Sequence, residues 1–342
     1  MKRRIEDRLE ALCRKFGYAP YKMSRFEEYE LYVKNKDFLQ SDRVITFSGR
    51  DGRLLAMKPD VTLSIVKNAP EGPGEVRKVH YRENVYRQDR DSGGFKEILQ
   101  AGLECVGDVG RYETAEVVYI AAKTLAAVGE GTILSLSHVG LVRDALERSG
   151  LPEGSRKQAL DCLRQKREQE LRALCAENGA DDTLLLALLR ARALEDLEPL
   201  MDAENKAWRE LQQTLELLDP EQVRLDLSLG NDMKYYSGLV FKGYVRGVPA
   251  SVLSGGQYDR LLSHMGKKAR AIGFAVYLDQ LPQADESWDV DTLLLTGDAA
   301  PGVVLAAVET LPGTVLAARQ EPASRTWKRK AVLENGEVRY LD

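Results

Sequence analysis

Apolar residues recur at helical spacing from the start of the chain. Ile5, Leu9, Leu12 and Phe16 predict an amphipathic helix that stops near Gly17. The pattern then shortens. Residues 43–66 read as small strands around the turn Gly49-Arg50-Asp51-Gly52, followed by a helix opening at Pro59-Asp60-Val61-Thr62. Strands are expected over 78–89 and 95–107, a helix over 111–128 and a strand near 132–137. From about 146 to 220, glycine and aromatics nearly vanish while Leu, Ala, Glu and Arg dominate, which predicts a helical insertion. Alternation resumes as Val223, Leu225, Leu227 and Leu229 against Arg224, Asp226 and Ser228, and predicts a strand, with another over 238–246. The Gly255-Gly256 pair reads as a tight turn rather than a phosphate cradle, because no helix-opening glycine motif accompanies it. A short strand entering a helix is expected over Ala271–Leu281. Residues 1–283 then form one core, and 288–342 a small C-terminal α/β unit. Successive strands lack the crossover helices of a parallel series, so the expected class is α+β: a largely antiparallel sheet flanked by helices.

Strand 95–107 carries the most pointed chemistry. Leu99, Ala101, Leu103 and Cys105 alternate with Gln100, Gly102 and Glu104. One face is core. The other sets an amide, a gap and a carboxylate in a row, as a pocket for a small cationic or hydrogen-bonding ligand requires. A mid-strand carboxylate buried without a partner is costly. The glycine is read as leaving room for the body of the ligand.

Composition narrows the field. The chain has 342 residues, with 49 basic and 53 acidic side chains and a net charge of −4, which argues against nucleic-acid binding driven by bulk charge. Cys13, Cys105, Cys162 and Cys175 show no metal-binding spacing and the three histidines are scattered, so neither a metal site, a cofactor nor a disulfide framework is expected. The reducing cytoplasm fits this cysteine usage. No signal peptide or membrane span is read from the chain. The basic cluster Arg325 to Lys330 reads as a solvated face.

Four segments in order resemble the catalytic core of class II aminoacyl-tRNA synthetases, specifically histidyl-tRNA synthetase, over roughly 1–145 and 221–283. Tyr86-Arg87-Gln88-Asp89-Arg90 with Phe95 to Glu104 resembles the second motif. Met57-Lys58-Pro59-Asp60-Val61-Thr62 resembles the Arg-Pro-Glu-Gly-Thr segment, and Asn231 to Gly238, with Tyr235-Tyr236, the histidine loop. Ala271 to Leu281 resembles the third motif. The resemblance implies a histidine site: Asp60, Thr62 and Gln100 on the α-amino group, Glu104 and the Tyr235–Tyr236 pair on the imidazole. The chemistry agrees, since carboxylates and hydroxyls pair with an ammonium or a ring N–H through charge-assisted bonds. Plainer roles stand beside these: a helix cap for Asp60, a structural network for Gln100 and Glu104, an ion pair for Arg87 and core packing for a tyrosine.

The departures from that resemblance concern cations. Arg87 keeps the second-motif arginine, but Asn231, Gln280, Gly94 and Gln257 stand where the family carries arginines, Ser24 stands for the first-motif proline, and Lys234 replaces an acid beside the tyrosines. Losing one preorganised charge donor costs about 10²–10³ in rate, so several losses leave essentially no adenylation. Asn231 removes the carboxylate partner that the resemblance implies, so either Arg87 compensates, water enters, or affinity for the ligand is modest. This combination resembles the regulatory subunits of ATP phosphoribosyltransferase, synthetase relatives without aminoacylation activity. That resemblance implies a short catalytic subunit as partner, histidine as effector, and a homodimer inside a larger hetero-oligomer. The competing readings are a divergent histidine-activating ligase and a tRNA-sensing paralogue, the latter disfavoured by the near-neutral charge.

Overall fold

A computed structural model describes residues 2–39, 44–88, 93–229, 235–281 and 288–341. The chain divides into two compact units, Met1–Pro282 and Gln283–Asp342. The large unit is built on an eight-stranded sheet. Its order runs Ala19–Pro20, Val76–Gln88, Phe95–Gly107, Arg270–Tyr277, Leu253–Gln257, Leu239–Val245, Thr132–His138 and Val223–Leu225. The inner pairings are antiparallel and only the two outermost are parallel. This is the α+β arrangement that the absence of crossover helices predicts.

Alternation decides what each face of the sheet carries. Leu103, Cys105, Ile272, Phe274 and Val276 turn to one side and join a core with Val117, Ile120 and Ala121 of the helix Arg111–Ala126. Ile5, Leu9 and Leu12 of the helix Lys2–Lys15 close the same core. Each of these fully buried aliphatic side chains contributes about 1.5–3 kcal/mol of burial. On the opposite face Val79, Tyr81, Val106 and Ala271 pack with Val61, Leu63 and Ile65, brought there by the short helix Thr62–Val66. A separate three-stranded sheet, Phe26–Glu28, Leu54–Met57 and Thr46–Ser48, includes the hairpin around Gly49–Gly52.

The leucine-rich stretch folds as helices Val139–Arg148, Glu153–Arg164, Glu168–Glu177, Thr183–Arg190 and Lys206–Leu215. The small unit is a four-stranded sheet with the helix Pro301–Thr310.

Three secondary-structure expectations fail. The strand over 223–229 ends at Leu225 and gives way to a 3-10 turn, Leu227–Leu229. The Asp226 carboxylate accepts from the Ser228 N–H at 3.1 Å and from Lys166 at 3.0 Å, a local turn that competes with the ladder. The segment 271–281 is not a helix entrance but a strand to Tyr277, followed by one 3-10 turn over Leu278–Gln280. Gly255 and Gly256 form no turn; they lie inside the strand Leu253–Gln257.

Candidate ligand site

The sheet face opposite the N-terminal helix holds a cavity lined by all of Asp60, Thr62, Arg87, Gln100, Glu104, Tyr235 and Tyr236. Two-residue periodicity puts them there. Gln100 and Glu104 share one face of Phe95–Gly107, and Tyr81 and Arg87 share the matching face of Val76–Gln88. Asp60 and Thr62 come from the start of the helix Thr62–Val66, and the tyrosine pair from the segment before Leu239–Val245.

Glu104 is the centre of the site. It is 3% exposed. Thr62 donates its hydroxyl to Oε1 at 2.8 Å and Tyr258 donates to Oε2 at 2.5 Å. Burial pushes the carboxyl up to about 8; the two hydroxyl donors oppose that rise and the charge of Asp60 adds to it. The carboxylate lies across the neighbouring strand at its register partner Gly273, where any Cβ would overlap Oε2. Only glycine lets a side chain lie flat on the sheet at that point.

Gly102 has a different use from the one the sequence suggests. A Cβ there would overlap the Phe274 carbonyl and meet the Tyr81 hydroxyl oxygen at 2.8 Å. The gap is filled by the Tyr81 ring, its direct cross-strand partner, and not held open for a ligand. Gly256 likewise lies under the Tyr236 ring. That ring meets Tyr235 edge-on, with centroids 4.8 Å apart, and Tyr235 packs in turn on Tyr258 at 5.8 Å and on Phe38 at 6.1 Å.

Asp60 has a partner on each carboxylate oxygen. Oδ1 accepts from the Leu63 N–H at 2.9 Å, the bond of a helix start, while Oδ2 stands 3.9 Å from the Arg87 guanidinium. Burial raises its carboxyl, and Arg87 with the Leu63 and Thr62 amides pulls it back. Arg87 is pinned by its Nε donating to the Pro59 carbonyl at 2.8 Å. Among the described residues the Gln100 amide nitrogen is buried with no hydrogen-bond partner, a donor beside the cavity that a bound acceptor would satisfy.

Gln257, Gly94 and Gln280, where the resemblance expects arginines, do not line this cavity. Gln257 is buried in the scaffold: Oε1 accepts from the Leu239 N–H at 2.6 Å, and Nε2 donates to Glu210 at 2.8 Å and to Thr114 at 3.3 Å. Gly94 and Gln280 are exposed, as is Ser24. Asn231 and Lys234 lie outside the described residues. Among the described lining residues Arg87 is the one basic side chain, against the two acids Asp60 and Glu104. Lys58, in the Arg-Pro-Glu-Gly-Thr-like segment, is buried against Glu83, which also accepts from the Met23 N–H at 3.1 Å.

A pocket with two raised carboxyls, one guanidinium, five phenols in its lining and an unpaired amide donor suits a small zwitterion with a second hydrogen-bonding end. The sequence reading missed Tyr81 and Tyr258, both at most 4% exposed, and Phe38. Alternation on through Ser254, Gly256 and Tyr258 was the available signal for Tyr258. No group of three or more metal-binding side chains occurs among the described residues, and none of their helices is long and apolar enough to cross a membrane.

The chain matches the histidyl-tRNA synthetase family over residues 1–281. It is 30% identical over 302 residues to the ATP phosphoribosyltransferase regulatory subunit of Symbiobacterium thermophilum, covering 83% of this chain and 76% of that one. Its fold is similar to that of an ATP phosphoribosyltransferase regulatory subunit/histidyl-tRNA synthetase from Bacillus halodurans, with a TM-score of 0.71 at 24% identity over 92% of this chain and 88% of that one. It is also similar to a chain of the ATP phosphoribosyl transferase (HisG:HisZ) complex from Thermotoga maritima, with a TM-score of 0.66 at 21% identity over 81% and 97% of the two chains. The chain therefore belongs to the histidyl-tRNA synthetase family and, within it, to the ATP phosphoribosyltransferase regulatory subunits.

Proposed function

We propose that the chain is a non-catalytic subunit that binds free histidine and regulates a short ATP phosphoribosyltransferase catalytic subunit, activating it and transmitting feedback inhibition by histidine. In this reading Asp60, Thr62 and Gln100 hold the α-amino group, Glu104 and the Tyr235–Tyr236 pair hold the imidazole, and Arg87 meets the carboxylate. The observation that carries it is the asymmetry of the cleft: acids and phenols converge on one cavity, whereas Gln257 is consumed by the scaffold and Gln280 and Gly94 face solvent. A charged transition state joining a carboxylate to a triphosphate would find Arg87 as the one cation among the described lining residues. The names of its relatives support the catalytic subunit as partner. In this reading the chain acts as a homodimer inside a larger hetero-oligomer and without tRNA. Four free, buried cysteines suit the cytoplasm.

Co-expression with a short catalytic subunit tests this. The expected result is one complex whose phosphoribosyl transfer is raised over that of the free catalytic subunit and inhibited by histidine. Independent elution of the two chains overturns it. The ligase reading predicts histidine-dependent exchange of pyrophosphate into ATP, and a measurable rate of exchange would replace the present proposal.

A further inference from the structure

The pocket has a support that reaches into the helical insertion. Gln257 is 2% exposed and lines no part of the cavity. The Leu239 N–H donates to its Oε1 at 2.6 Å, which fixes the amide orientation and turns Nε2 toward Glu210 at 2.8 Å and Thr114 at 3.3 Å. The Gln257 backbone carbonyl accepts from the Ser237 N–H at 2.8 Å. Gly238 lies so close to the Gln257 amide that a Cβ would overlap Oε1. Residues 237–239, directly after Tyr235 and Tyr236, are thus clamped by one glutamine.

The clamp is itself held from outside the sheet. Glu210 sits on the helix Lys206–Leu215. Its Oε1 accepts from Gln257, and its Oε2 faces His138 Nε2 at 3.2 Å. The Gly140 N–H donates to His138 Nδ1 at 3.0 Å, so Nδ1 is the acceptor nitrogen and Nε2 carries the proton given to Glu210. His138 is 4% exposed and pairs in register with Leu239. One chain of bonds thus runs from the insertion helix through Glu210 and Gln257 to the backbone that carries the tyrosine pair. A buried amide paired with a half-buried carboxylate, each with its partners in place, rigidifies what it joins.

We infer that Gln257, held by Glu210, is a positioning residue for Tyr235 and Tyr236, and that through it the helix Lys206–Leu215 and the ligand pocket bias one another. This rests on the reading of the cavity as a histidine site, but the clamp has a readout of its own. The test uses the full chain with Glu210→Ala and Gln257→Leu, each checked for unaltered thermal unfolding. Hydrogen exchange without ligand should rise at least tenfold in the peptide spanning 235–241 and stay unchanged in 290–295. By calorimetry, histidine affinity should fall about tenfold for Glu210→Ala in the native background and less than threefold in a Tyr236→Phe background, because the effect acts by placing the Tyr236 hydroxyl, which that variant lacks. If Gln257→Leu fails to fold, Glu210→Ala alone decides. Unchanged exchange at 235–241 overturns the inference, as does equal loss of affinity in both backgrounds. If the native chain shows no histidine binding, the functional reading fails and the exchange result still decides the clamp.

Discussion

The Tyr258 hydroxyl donates to Oε2 of Glu104 at 2.5 Å across 154 residues of sequence. The bond opposes the burial that raises the Glu104 carboxyl. Its value is therefore largest when the carboxyl is ionised. Tyr258→Phe is expected to destabilise the fold by about 1–3 kcal/mol at pH 8.5 and by clearly less at pH 6. Urea unfolding at the two pH values measures the difference, and an equal loss at both would show that the hydroxyl does not read the charge of Glu104.

Glu104→Gln keeps the shape of the side chain and removes its ability to ionise. Histidine affinity is expected to weaken more than tenfold, about 1.4 kcal/mol, with little change in fold. Titration calorimetry is the check; unchanged affinity would mean that the carboxylate does not accept the ring N–H.

The same group sets a pH dependence. Its folded pKa is raised from the usual carboxylate value of 4.5 to about 8. Between those values the folded state holds the proton more tightly than the unfolded state, so stability is greatest below 4.5 and declines as pH rises through 8. The decline attributable to Glu104 approaches about 1.4 kcal/mol per pH unit inside that window. Asp60, also raised, acts in the same direction. Thermal unfolding of the ligand-free chain should fall from pH 6 to pH 8.5, and Glu104→Gln should flatten that slope. Parallel curves for the two proteins would remove Glu104 as its source.

Lys58 is 2% exposed and its partner Glu83 is 14% exposed. Lys58→Met fills the same volume but strands a carboxylate, so a loss of about 3 kcal/mol is expected. Lys58→Met combined with Glu83→Leu should recover part of it. Denaturant midpoints measure both, and a double variant no more stable than the single one would contradict the ion-pair account.

The fold was legible where the periodicity was strong. The strands Val76–Gln88 and Phe95–Gly107 and the helix Arg111–Ala126 fall within two residues or so of the alternation and the helical spacing that announce them. It was misread where local bonds or pairing override the pattern: Asp226 ends a strand by binding Ser228 and Lys166, and the strand expected at the start of 271–281 runs on to Tyr277, paired on both edges, where a helix is expected. In the site, alternation alone brought out Gln100 and Glu104. Asp60, Thr62, Arg87 and the tyrosines came from family resemblance, because no local pattern says that distant segments converge. Tyr81 opposite Gly102 and Tyr258 against Glu104 depend on strand register, which a single sequence does not print.

The glycines beneath the pocket leave its base no tolerance. At 102 and 273 the space above the backbone already belongs to the Tyr81 ring and the Glu104 carboxylate, and at 256 to the Tyr236 ring. No side chain of any size can be added at these three positions without dislodging a wall. Redesign toward another amino acid therefore has to be done from the rim, at Phe38, Ser254 or Tyr277, with the floor left untouched.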